Sequence, residues 1–553
     1  MSTGSNSERG LFSAASNDPK EIYDQGLEFE DAVPPNEFAA RQRFEAAAEL
    51  KYGPAQSKLG YYFSKGKGGL SKNIEESARL YRLAADQGDA CGQYNMGVLC
   101  EHGRVVSKDP SAAARWFRLA GLQGHARAQY NCGLICEAGR PGTPRDLEEA
   151  VTWFRHAAEQ GHAGSQHRLA IYHERGLGGV AKDAEAATIL YRRAAEQGLP
   201  AAQYEVGRCY LEGIGVKKDD AAAVLWFSRA AEKGNAAAMY HLGLLQEAGS
   251  GGLEADEMGA ARWIRRAALD GHAAAQARLG ELYAEGCGVK LDECEAVRWF
   301  RAAAGQKNAI AQHRLGECYE HGRGGLRKDD REALSWFQKS VEQGYAPAQA
   351  SLGAFHAAGR GGLAEDDVEA ARLYRLAANQ GNPRGQCGLG FFYEKNRGGV
   401  GNDNAAAERL YRLAAHAGYA PAQYNLALFC DKGLGGTQDQ ARAAEWYQKA
   451  AEQGHAGGQR GLAGYLANGL GGLERDDDAA ARWYSRAAEQ GDAAAQNNLG
   501  LFVERGRGGE VKDVVRALAL YEVSAAAGCE PARLNAQRLT EVLTGTAPGQ
   551  AGP

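Results

Sequence analysis

Three short constellations in this chain of 553 residues carry side chains that could do chemistry. Cys132 and Cys136 lie one helical turn apart with His125 upstream, and thiolate and imidazole ligands at such spacing suit zinc. A closed tetrahedral site needs a second ligand pair, and no other pair has zinc-like spacing; Cys136 also falls on an ordinary core position of the repeat described below. Ser64-Lys65-Gly66-Lys67 sets a lysine three residues after a serine, a spacing in which an amine can activate a hydroxyl for acyl transfer, but the companion Ser-Asp-Asn and Lys-Thr-Gly elements are missing. Glycine runs such as Gly322-Arg323-Gly324-Gly325 do not read G-x-x-x-x-G-K-[ST], and no strand precedes them, so they are chain reversals and not phosphate cradles. The thirteen histidines are scattered, and His125, His162, His272 and His455 follow repeat-ending glycines instead of forming a cluster. No catalytic, cofactor-binding or metal residues are assigned, and the expectation is a protein that is not an enzyme.

What positions these residues is a block that recurs about every 37 residues from roughly Gly53 to Gly528. Aligned on its terminal glycine, the residue eight places earlier is Trp or Leu, and all eight tryptophans (Trp116, Trp153, Trp226, Trp263, Trp299, Trp336, Trp446 and Trp483) fall there. Each block opens with an Ala-rich stretch bearing Gln, then Leu or Met three later and a small residue four later, as in Gln276-Ala277-Arg278-Leu279-Gly280. Apolar recurrence at helical spacing predicts a first helix, A, whose glycine admits a close neighbour. A glycine-rich turn then predicts a reversal, and a second helix, B, starts at an aspartate seven residues before the Trp or Leu, for example Asp109, Asp219, Asp329 and Asp476. A carboxylate there accepts from free N–H groups of the first turn and complements the helix dipole. Small residues three before and four after the Trp or Leu let helices approach, with the large side chain expected to fill the space between units. The consensus departs at Met239, which replaces the Gln, at Lys307, which replaces the terminal glycine, and in the loop from Pro141 to Pro144.

Net charge of -5 and a pI near 6.3 give no general attraction to nucleic acid or anionic lipid. Met1 to Asn17 has no apolar run long enough for a secretory signal or a span, so no membrane insertion and a cytoplasmic location are expected, with an unconventional export route as the alternative. Eleven cysteines, odd in number and unevenly placed, read as reduced and mostly buried. The expected division is a disordered tail over 1–18, atypical capping helices over 19–53, the repeat array over 54–528, a capping helix over 529–543 and a second tail over 544–553.

Blocks such as Ala422-Gln423-Tyr424-Asn425-Leu426 through Trp446 to Gly454 resemble Sel1-like repeats, relatives of the tetratricopeptide repeat, over about nine-tenths of the chain. The resemblance implies an all-α, right-handed α/α superhelical solenoid of about thirteen helical hairpins, without cofactor, that binds a protein or peptide partner along its concave face as a scaffold or adaptor. It would also put two rows of A-helix residues on that face. The first row is Tyr94, Tyr130, His167, Tyr204, Tyr240, His313, Tyr424 and Arg460; the second includes Val98, Leu134, Ile171, Arg208, Leu244, Glu281, Glu317 and Phe391. From Gln93 to about Gln246 the face reads aromatic and apolar, and from Ala277 to Glu317 it turns charged. Two other functions stay open at this point: a hydrolase, since some proteins similar to the family are described as β-lactamase-like, and an exported effector binding host proteins.

Overall fold

The computed structural model describes residues 17–139 and 144–544, so Pro141 to Gly142 and Thr143 of the irregular loop fall outside it. Among the described residues there are twenty-nine helices and no strand. The chain forms two compact units, one ending at His272 and one beginning at Ala273. Each contains seven A–B hairpins, and the second closes with an extra helix, Glu530–Thr544. Within a unit every B helix packs on the A helix of its own hairpin and on the next A helix, an all-α solenoid arrangement.

Local chemistry fixes the ends of these helices. Asp109 accepts from the N–H groups of Ser111 and Ala112 at the start of the B helix Pro110–Leu122, and its own N–H donates to the Cys100 carbonyl at 2.9 Å. The aspartate therefore caps one helix and ties it to the end of the other. Asp219 does the same for Asp220–Glu232, capping Ala222 and reaching the Tyr210 carbonyl at 2.9 Å. In the turn between them one glycine has no substitute: a Cβ on Gly178, at φ +59°, would lie 2.5 Å from the Leu147 carbonyl oxygen of the preceding B helix. Lys307 adopts φ +62° at the terminal-glycine position, so the departure from consensus leaves the backbone path unchanged.

The core differs from the expectation in one respect. The large side chain buried between helices is the residue after the tryptophan. Phe154, Phe227 and Phe337 are fully buried, whereas among the tryptophans only Trp153, Trp226 and Trp446 fall below the surface. The A-helix glycine exists to receive that ring: a Cβ on Gly133 would sit 2.5 Å from Phe154, and on Gly207, Gly280 or Gly316 2.6 Å from Phe227, Phe300 or Phe337. The tryptophan instead lies along the B helices beneath a cation, as with Lys449 at 4.3 Å from the Trp446 ring centre or Arg118, of the preceding repeat, over Trp153. The same glycine–aromatic pairing identifies the first two helices, Pro19–Asp31 and Glu37–Glu49, as a fourteenth hairpin, because a Cβ on Gly26 would meet Phe44 at 2.5 Å.

A polar ladder accompanies the apolar one. The glutamine that follows each B helix donates its side-chain amide to the glutamine of its own A helix: Gln160 to Gln129 at 2.7 Å, Gln380 to Gln349 at 2.9 Å, Gln490 to Gln459 at 2.8 Å. The A-helix glutamine donates in turn to a carbonyl at the end of the preceding B helix, Gln129 to Gly121 at 3.1 Å and Gln423 to Ala415 at 3.2 Å. Buried amides are thereby satisfied wherever both glutamines are present. Where the residue after the B helix is Lys233, Ala417 or Ala527, the Oε1 atoms of Gln203, Gln386 and Gln496 are buried without a partner. Where the A-helix residue is Met239, fully buried, the residue after the B helix is Asp270.

Candidate partner-binding face

The first-row residues are held by the caps of the next A helix. Tyr94 stacks on His125 with ring centres 4.6 Å apart, Tyr130 lies 4.8 Å from His162, Tyr240 5.2 Å from His272 and Tyr424 4.9 Å from His455. His125, His162 and His455 serve as N-caps, each accepting on Nδ1 from a backbone N–H three residues on at 3.1 to 3.2 Å. That role needs a neutral imidazole, and burial holds all three below the ordinary value, with Arg127 adding to the effect at His125 and His162. Tyr204 shares a contact of 3.4 Å between its hydroxyl and His241 Nε2. These tyrosines are half-buried: one part of each ring is fixed against the protein and the rest is open.

Three first-row positions differ. His313 is only 4% exposed, with Nε2 3.1 Å from the Ser351 hydroxyl of the following A helix, and burial pushes it down to about 4. His167 packs against Tyr191, and burial pushes it to about 4 as well. Arg460 is turned into its neighbours, donating to Asp492 at 2.9 Å and to the Tyr424 hydroxyl at 2.9 Å. In the second row Val98, Leu134, Ile171 and Leu244 are half-buried and Phe391 is exposed. Arg208 is drawn into ion pairs with Glu174 and Glu205, and Arg314 bridges Glu281 and Glu317 at 3.2 and 3.1 Å. The charged stretch is thus a paired network, and it lines a pocket of about 220 Å³.

Two larger pockets lie in the first unit. One of about 490 Å³ is lined by residues that include Tyr23, Lys58, Tyr61, Asp89, Tyr94 and Arg127, and one of about 340 Å³ by Tyr94, Val98, Phe117, Leu134 and Ile135, with Glu101, His102 and Asn131. Tyr94 is common to both. Of these residues the sequence singled out Tyr94, Val98 and Leu134. Tyr61 stands five residues after Gln56, in the register of Val98 after Gln93, so extending the rows back by one repeat finds it; Tyr23 and Arg127 have no comparable signal.

The remaining chemical candidates are placed apart. Ser64 donates to the Tyr61 carbonyl at 2.7 Å, while Lys67 is ion-paired with Glu37 at 2.8 Å. Cys132 and Cys136 are buried in the core, where desolvation pushes both thiols up to about 12. Among the described residues no group of three or more His, Cys, Asp or Glu side chains is arranged to hold a metal, and no helix is long and apolar enough to cross a membrane.

The Sel1 repeat model matches the chain thirteen times in succession, from residue 53 to residue 529. Among solved structures, a protective antigen of uropathogenic Escherichia coli with an SLR fold is similar at 31% identity and a TM-score of 0.56, over 86% of this chain and 98% of its own. A Sel1 repeat protein from Oxalobacter formigenes is 30% identical with a TM-score of 0.42, over 63% of this chain and 97% of its own. A search of the curated proteins finds no match. Glycine–aromatic hairpins, aspartate caps and a repeat model that runs almost end to end agree: the chain belongs to the Sel1 repeat family.

Proposed function

We propose that this protein is a non-catalytic interaction scaffold that grips an extended segment of a partner protein along the exposed face of its A helices, chiefly in the unit ending at His272. The Sel1 repeat fold generally serves as a protein–protein interaction scaffold. The observation that supports this face is the run of half-buried tyrosines, Tyr94, Tyr130, Tyr204 and Tyr240, in which Tyr94 also forms the shared wall of two open pockets. Their rings are pre-positioned by histidine contacts, so little side-chain entropy is lost on binding, and aromatic residues of this kind are enriched at binding hot spots. His313 is buried and contributes to this face only as a support for its neighbours.

The test is to isolate the tagged chain from its native host beside the variant Tyr94→Ala/Tyr130→Ala/Tyr204→Ala and compare co-purifying proteins. A partner retained by the parent and lost by a variant of unchanged helicity is the expected result. Equal recovery on both would refute the assignment of this face.

A further inference from the structure

We infer, resting on the scaffold reading above, that the gripped segment carries an acidic side chain and an apolar side chain three residues apart, seated in the two pockets that share Tyr94. Charge decides the first pocket. Lys58 is engaged by Glu30 at 2.5 Å and Lys67 by Glu37. Asp89 Oδ2 accepts from the Ser57 hydroxyl at 2.5 Å and from the Gly92 N–H at 2.7 Å, which holds this carboxylate at the cap of its own helix. His125 is neutral as a cap acceptor. What remains is Arg127, exposed at the pocket lining and without a carboxylate partner among the described residues. A guanidinium lining the same pocket as Tyr23, Tyr61 and Tyr94 is a complement for a carboxylate whose stem lies on aromatic rings.

The second pocket shares Tyr94 with the first and adds the apolar side chains Val98, Phe117, Leu134 and Ile135, with Glu101, His102 and Asn131 as its polar lining. It fits a branched aliphatic or similar side chain. Neighbouring A helices pack with axes roughly 10 Å apart, and a polyproline-type extended chain rises about 3.1 Å per residue with three residues per turn. Side chains at i and i+3 of such a segment therefore point the same way and are separated by about 9 Å. That spacing matches one pocket per helix gap.

The experiment uses the full chain and fluorescein-labelled twelve-residue peptides of Gly, Ser and Pro, carrying Asp and Leu at i and i+3 in either order, with binding read by fluorescence anisotropy. Control peptides replace Asp by Lys, replace Leu by Ser, move the pair to i and i+6, or carry only a free C-terminal carboxylate. The expected result is saturable binding of an Asp/Leu i, i+3 peptide, at least tenfold weaker for every control. Arg127→Gln should abolish the preference for Asp over Lys while sparing the preference for Leu over Ser, and Leu134→Ser should do the reverse. Absence of binding by any peptide, equal binding of the Lys peptide, indifference to spacing, or an unchanged Asp preference in Arg127→Gln each overturns the inference. If peptides fail while the tyrosine-dependent partner is still recovered, the recognition chemistry is wrong and the scaffold stands; if the triple tyrosine variant binds partner and peptides undiminished, the face itself is wrong.

Discussion

Gln453→Ala is a measurement of what the glutamine ladder contributes. In the parent chain Gln453 donates to Gln423 Oε1 at 2.7 Å, and Gln423 is 4% exposed. The variant leaves that oxygen buried without a donor, the condition already present at Gln203, Gln386 and Gln496. Losing the bond and stranding the acceptor costs about 1 to 3 kcal/mol. The double variant Gln423→Met/Gln453→Ala removes the stranded atom as well, and the one carbonyl it uncovers is not left bare, because Ala415 still accepts from Gly418 at 3.0 Å. It should therefore cost less than the single change, as apolar replacement of both partners of a buried pair does. Ala417→Gln runs the comparison the other way: it supplies a donor to Gln386 and should stabilise by about 0.5 to 1.5 kcal/mol. Hydrogen exchange read by mass spectrometry over residues 404–468 suits the question, since repeat arrays open locally and about 1.4 kcal/mol is a tenfold change in protection. A single variant with parental protection, or a double variant that costs the sum of its parts, would refute the ladder as a source of stability.

Two further outcomes follow from the core, beside those for the tyrosine face and Arg127. Gly133→Ala forces a Cβ to within 2.5 Å of the Phe154 ring and should destabilise its unit by about 1 to 3 kcal/mol, partly recovered by adding Phe154→Leu; urea midpoints compare the three chains. His313, down to about 4 from 6.5, binds its proton more readily unfolded than folded, so stability is full above about pH 6.5 and is lost as pH falls toward 4, by about 3 kcal/mol for this residue. His313→Gln should flatten that part of a stability–pH curve, and a curve of undiminished slope would count against it.

Helix positions and caps were readable because their chemistry is local: Asp109 or Asp476 caps a helix wherever it stands, and a glycine tolerates φ > 0 in any fold. The buried aromatic was not readable, since Trp153 and Phe154 are adjacent, large and apolar, and only the position of Gly133 on the facing helix selects between them. The first hairpin departs from the repeat in sequence, with Lys51 at its terminal-glycine position and Leu50 where a glutamine would stand, although the backbone at Lys51 still takes φ +61°. At the candidate face the repeat register located Tyr94, Tyr130 and Tyr204, yet it placed His313 in the same row, where Ser351 on the next helix draws it inward. Tyr23 and Arg127 join Tyr94 in one pocket only through the packing of successive hairpins, which no single repeat encodes.

The ladder and the glycine–aromatic pairs together make each hairpin a directional link, with a donor at one end and a carbonyl at the other, and such a link has no inherent last copy. The final helix supplies one. In its register Arg533 replaces the glutamine and turns back to Glu530 at 2.9 Å, while Gln537 stands where the receiving glycine would be. With neither the amide to hand on nor the hollow to take another ring, helix Glu530–Thr544 covers the last hairpin without offering the same joint again.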